Sequence, residues 1–72
     1  MALGPRTKSG KQTIKLGMCV QCDANPFVGY VARLELTQAQ TNNLRVDVPA
    51  PAAYVAFMNG IADWISCSEL EA

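Results

Sequence analysis

The sequence predicts a small α+β protein: a three-stranded antiparallel meander, covered on one face by a C-terminal helix and preceded by an extended N-terminal basic arm. Three observations favour this fold. The chain has 72 residues, which suits one small domain. Apolar and polar side chains alternate through much of the first two thirds of the chain, as in half-buried strands. In the last third, apolar side chains recur every three or four residues, as on one face of a helix.

Residues 1–11 are predicted to be a flexible basic arm outside the core. They contain two glycines, one proline, one serine and three basic residues, and little apolar surface to bury. We therefore expect residues 12–72 to form the single small α+β domain. The basic residues that precede the first acidic residue are Arg6, Lys8, Lys11 and Lys15.

Three segments have the two-residue period of β-strands. The first, residues 13–22, is followed by turn-forming residues at 23–26. The second, residues 27–37, alternates between an apolar face that includes Tyr30 and a wet face that includes Val31 and carries charges of both signs. The third, residues 44–48, is short and is followed by two prolines, which cannot donate to a β-ladder. The polar residues 38–43 are predicted to form a loop.

The last element is predicted to be a helix with Pro51 in its first turn, where proline is favoured. Gly60 costs about 1 kcal/mol relative to alanine in a helix interior, but the apolar stripe continues past it. A single helix on three strands leaves the two sheet edges open, and open edges tend to pair with a partner. The apolar stripe consists of Tyr54, Phe57, Met58, Ile61, Trp64 and Ile65.

The opposite side of this helix is predicted to be a contact surface. Ala52, Ala56 and Gly60 are spaced at i, i+4 and i+8, and small residues at this spacing let a second helix or sheet approach closely. A solvent-facing helix usually carries lysine, glutamate and glutamine there. The alternative is a plain alanine-rich surface. With the open sheet edges, the small residues favour self-association or binding to another protein subunit.

The basic arm is the second predicted contact site. Arg6, Lys8, Lys11 and Lys15 could neutralise a few phosphates without reading a base sequence, or could lie along a neighbouring subunit. No aromatic residue is interleaved among these charges, so base stacking is not indicated. The alternative is a solvated tail that only aids solubility.

Cys19 and Cys22 have the spacing of a redox or zinc motif. In a regular strand, however, residues three positions apart point to opposite faces. The chain has no histidine to complete a zinc site with Cys67. We therefore interpret Cys22 and Cys67 as small apolar residues and expect no metal and no cofactor, with a thiol or zinc protein as the alternative.

No catalytic residues are predicted, because the chain lacks histidine and its carboxylates are spread over different elements. A small-molecule substrate is therefore not expected. The absence of an apolar run of roughly 20 residues predicts no transmembrane segment. No apolar segment follows the N-terminal charges, which argues against a secretory signal peptide. The odd number of cysteines favours a reducing compartment, the cytoplasm or a virion assembled there.

These features predict a non-enzymatic, self-assembling structural protein, such as a coat, cement or minor capsid component of a phage or virus particle. Homo-oligomers would form through sheet edges and the small-residue helix face. One alternative is a small binding module that inhibits or modulates a larger partner protein. Another is a small nucleic-acid-binding protein that uses the basic arm. Self-assembly of the isolated chain distinguishes the first function from the other two.

Overall fold

A computed structural model describes residues 5–43 and 48–72, which form a four-stranded antiparallel sheet with its strands in sequence order. Within these residues two short helices complete the fold: α1 (Gln38–Asn43) between the second and third strands, and a 3-10 helix (Cys67–Glu69) after the fourth. The strands are β1 (Cys19–Cys22), β2 (Asn25–Glu35), β3 (Ala52–Phe57) and β4 (Ala62–Ser66).

The predicted C-terminal helix is wrong, because β3 and β4 pair as an antiparallel hairpin over most of its length. In β3 the side chains of Ala53, Val55 and Phe57 are all buried in the core. This two-residue period is that of a strand with one face on the core. The fold class is therefore a four-stranded antiparallel sheet, and within the described residues no C-terminal α-helix covers it.

The turn between β3 and β4 explains why the helical interpretation fails. Gly60 has a φ of 88°, a left-handed conformation that glycine adopts readily and that ends a helical path. Asn59 precedes it, and the Asn-Gly pair is a strong hairpin signal. Met58 and Ile61, counted above in the apolar stripe of a helix, are exposed in this turn.

The first predicted strand, residues 13–22, is regular only over its last four residues, where it forms β1. A turn interrupts it upstream, because Gly17 has a φ of 81° and the Met18 N–H donates to the Lys15 carbonyl at 3.2 Å. We call residues 15–18 the Lys15 turn. The Gly17 N–H also donates to a β2 carbonyl at 2.7 Å, which fixes the turn to the sheet.

The remaining predicted elements differ in smaller ways. The second predicted strand, residues 27–37, corresponds to β2, which begins and ends two residues earlier. The predicted loop at residues 38–43 is the short helix α1. Residues 44–47 of the third predicted strand lie outside the described residues, and Val48 is in no strand.

The core lies against one face of the sheet, which we call the inner face. Instead of the predicted helix, the residues that cover this face come from segments outside the sheet near both ends of the described chain, including the 3-10 helix. They are Ile14, Cys67 and Leu70, all buried. Their partners on the sheet are Val20, Val31, Ala53, Val55 and Phe57.

The extended basic arm of the predicted fold is also wrong over residues 5–11. Pro5 and Thr7 are buried, and a bridge between Arg6 and Thr13 closes this part of the chain into a loop. The division of the chain into an arm and a domain at residue 11 stays a prediction, but the described part of the arm is hydrogen-bonded to the C-terminal residues Leu70 and Glu71.

Both ends of the described chain meet beside β1. Glu71 exchanges two backbone hydrogen bonds with Gln21, at 2.6 and 2.8 Å. The Ser9 N–H and hydroxyl donate to the Glu71 carboxylate at 2.9 and 3.0 Å, and the Lys8 N–H donates to the Leu70 carbonyl at 2.7 Å. We call Ser9, Gln21 and Glu71 the terminal clasp.

Candidate interaction surface

The face of the sheet opposite the core carries mainly apolar side chains. The strand register aligns Cys19, Tyr30, Ala56 and Ala62 in one row across the four strands. The next row contains Arg33, Tyr54 and Trp64. We call these seven residues the outer face.

Two aromatic rings and one guanidinium group are in contact on this face. The rings of Tyr54 and Trp64 lie 5.3 Å apart with a tilt of 48°, a separation typical of attractive aromatic pairs. The guanidinium of Arg33 lies 5.7 Å from the centre of the Trp64 ring, within cation–π range. Arg33 also donates to Glu35 at 3.1 Å. These contacts give the centre of the outer face a defined shape.

The outer face remains accessible in the described part of the chain. Tyr30 is 49% exposed, Cys19 and Ala62 are exposed, and the Tyr54 and Trp64 side chains are half-buried. An antiparallel sheet with one face on the core normally presents polar residues to water on its other face. Here Arg33 is the one charged residue among the seven, so this surface has the composition of a contact surface.

A β-bulge in β2 places the outer-face residues where the sequence pattern did not predict them. The register shifts between Val31 and Arg33, so Val31, expected on the wet face, is buried. Tyr30, expected in the core, points outward beside Ala56. Leu34 returns to the inner side and packs against the core.

The predicted small-residue stripe is wrong as a helical surface. Ala52 is fully buried at the start of β3, Ala56 lies on the outer face, and Gly60 is in the β3–β4 turn. The three residues share no single exposed surface, because the i, i+4 spacing that joined them belongs to a helix. A contact role for any of them stays a prediction, and the structure places only Ala56 on the outer face.

The four predicted basic contact residues do not form one extended strip. Lys8 pairs with Asp23 at 3.3 Å, and Arg6 donates to the Gly10 carbonyl at 3.2 Å within the N-terminal loop. Lys11 is exposed in the same loop, and Lys15 is exposed at the Lys15 turn. Their contact with nucleic acid or a subunit stays a prediction.

The three cysteines have different environments and are not disulfide-bonded. Cys19 is exposed on the outer face, Cys22 packs against the core, and Cys67 is buried within it. Burial raises the pKa of the Cys67 thiol to about 11, so it stays protonated at neutral pH and acts as an apolar residue. Over residues 5–43 and 48–72, no group of three or more cysteine or acidic side chains could hold a metal ion.

Comparison with known proteins identifies no relative. No protein-family model, curated protein or solved structure matches the chain. Neither helix in the described ranges is long and apolar enough to cross a membrane. The interpretation of the outer face therefore depends on its own residues.

Proposed function

We propose that this chain is a non-enzymatic structural protein that assembles by packing the outer faces of two copies together. The observation that supports this proposal is the accessible apolar face built around Tyr30, Tyr54 and Trp64. Removing apolar surface from water stabilises a contact by about 25 cal/mol per Å². Two sheets packed face to face, about 10 Å apart, would supply the covering layer that this side of the sheet lacks among the described residues.

The charges on the outer face and in the row beside it suit a second copy. Arg33 and Glu35 lie beside each other with opposite charge. In a two-fold contact the same surface meets itself, so the Arg33 of each copy can approach the Glu35 of the other. The chain has no net formal charge, and two copies therefore do not repel each other as a whole.

The size of the molecule also suits this arrangement. Its largest dimensions are 31 and 28 Å, with a thickness of 19 Å. A stable interface buries about 800 Å² on each partner, which a large part of one broad face can provide. A role in a phage or virus particle remains a prediction from the sequence, and a foreign protein partner is the alternative outcome of the test.

The test is sedimentation velocity of the full chain over a concentration series, with Tyr30→Asp as the variant. We expect the wild type to form dimers. Y30D should dimerise only at a concentration at least about tenfold higher, because burying an unpaired carboxylate in an apolar contact costs free energy. Phe27→Asp is the matched control. Phe27 has the same exposed fraction as Tyr30, 49%, but lies outside the rows of the outer face.

Three results would contradict the proposal. The first is a wild-type chain that stays monomeric at every concentration, which favours a binding module for a foreign partner. The second is equal association of Y30D and wild type. The third is equal weakening by Y30D and F27D, which would show that the outer face is not the specific contact. Circular dichroism of each variant checks that the fold is retained.

A further inference from the structure

A cleft at the β4 side of the sheet, which adjoins the outer face and shares Trp64 with it, could also bind part of another molecule. Its volume is 590 Å³, within the range of roughly 300–1,000 Å³ typical of binding pockets. Part of its lining is apolar and comes from separate parts of the chain, namely Cys22, Val48, Trp64 and Ile65. These residues lie far apart in the sequence, except for the neighbours Trp64 and Ile65, so the cleft forms only when the chain folds.

The charge of this cleft is negative. Asp23, Asp63 and Glu69 line it together with a single cation, Lys8. Lys8 pairs with Asp23, whereas Asp63 and Glu69 form no ion pair within the described residues. A partly apolar cleft with two carboxylates outside any ion pair favours an occupant that combines an apolar side chain with a positive charge.

The Lys15 turn of the same chain has this combination. Leu16 is 65% exposed, and Lys15 beside it is also exposed. The hydrogen bonds of Gly17 and Met18 hold the turn in one shape, which lowers the entropy lost when it binds. An aliphatic side chain held in water by a fixed turn is well suited to insertion into a pocket.

We propose that the Lys15 turn of one copy inserts into this cleft of the next copy, with Leu16 against the apolar lining and Lys15 beside Asp63 and Glu69. No residue of the Lys15 turn lines the cleft. The contact therefore joins two different surfaces of the molecule. Head-to-tail contacts of this kind extend into rings or open chains. This inference rests on the proposed function, because it explains how pairs formed through the outer face would grow into a larger assembly.

The test uses the full chain and the charge reversals Lys15→Glu and Glu69→Lys. We expect the wild type to form species larger than a dimer. Each variant should stop at the dimer, or need a concentration at least about tenfold higher to grow, because like charges then meet in the cleft. Lys11→Glu makes the same charge change in the N-terminal loop, outside the Lys15 turn, and should assemble as the wild type does.

Mixing the two variants gives the sharper result. The E69K chain retains an intact Lys15 turn and the K15E chain retains an intact cleft, so an equimolar mixture should recover species larger than a dimer. Recovery also shows that both variants are folded. Failure of the mixture to recover, or growth of K15E and E69K like the wild type, overturns the inference.

The two proposals can fail separately. A wild-type chain that stops at the dimer overturns the head-to-tail contact and leaves the outer-face contact in place. A chain that stays monomeric overturns both. Larger species that persist in K15E and E69K but disappear in Y30D show growth through another surface, which again overturns the head-to-tail contact alone.

Discussion

The pairing of β2 with β3 depends on the absence of a side chain at Gly29. A Cβ at this position would lie 2.6 Å from the Val55 Cγ1 and 3.0 Å from the Phe57 Cδ1. The first distance is far below an ordinary van der Waals contact between carbon atoms. Gly29 is therefore needed for space, in contrast to Gly60, which is needed for its backbone conformation.

Gly29→Ala should lower the free energy of unfolding by about 1–3 kcal/mol, the usual cost of adding a methyl group to a filled core. Urea unfolding at neutral pH measures this value. The double variant with Val55→Ala is the control, because removing the Val55 methyl groups relieves the closest contact. The two substitutions together should cost less than the sum of the single variants. An additive result would contradict the steric explanation.

At the level of the elements, the β3–β4 turn determines whether the last third of the chain is a hairpin or a helix. An added Cβ at Gly60 would meet nothing within 4 Å, so only its positive φ restricts substitution. Gly60→Val should therefore destabilise the fold by about 1–2 kcal/mol through backbone strain. Gly60→Asn should cost less, because asparagine tolerates the left-handed conformation. Thermal unfolding of both variants measures the difference, and equal costs would count against this explanation.

The sequence predicted some of these elements and not others, for local reasons. The alternation in residues 27–37 located β2 to within two residues at each end. It could not predict the bulge after Val31. Because of this bulge, Tyr30 and Val31 lie on the opposite faces of the sheet from those that the alternation predicts. In the C-terminal third, apolar residues of the turn, Met58 and Ile61, completed a spacing that resembles a helix. The Asn59-Gly60 pair was the local signal for a hairpin.

The candidate surface was harder to predict than the strands. Tyr54 and Trp64 were expected to face the core from a helix, but they contact each other across two strands. Ile14 and Leu70 cover the inner face from distant parts of the sequence. A periodic pattern reports only which face of an element is apolar, and the outer face is apolar although the core lies on the other side.

At the scale of the whole molecule, the terminal clasp makes stability depend on pH. Desolvation raises the pKa of Glu71, but hydrogen bonds from Ser9, Ala72 and Thr7 outweigh it and hold the pKa below its ordinary value of 4.5. The folded state therefore binds this proton less tightly than the unfolded state. The contribution of Glu71 to stability is complete above pH 4.5 and is lost as the pH falls through the lowered pKa.

The free energy of unfolding of the wild type and Glu71→Gln, measured by urea denaturation between about pH 3 and 8, tests this dependence. The wild type should be more stable at neutral pH, and the difference should shrink in acid. Ser9→Ala should reduce the same pH dependence, because it removes one donor to the carboxylate. Ser68→Ala is the control, since the Ser68 hydroxyl bonds with Ser66 instead. A difference between wild type and E71Q that does not change with pH would exclude the clasp as its source.

The terminal clasp also affects when the protein can finish folding during its synthesis. The contact between Ser9 and Glu71 spans 62 positions of the chain, so the first partner leaves the ribosome long before the second. The β1–β2 hairpin forms from neighbouring residues in the first half of the chain and can pair early, whereas the outer edge of β1 beside Gln21 waits for Glu71. During this interval the exposed edge is open to pairing with other nascent chains. Conditions that slow translation through the C-terminal segment would lengthen that exposure.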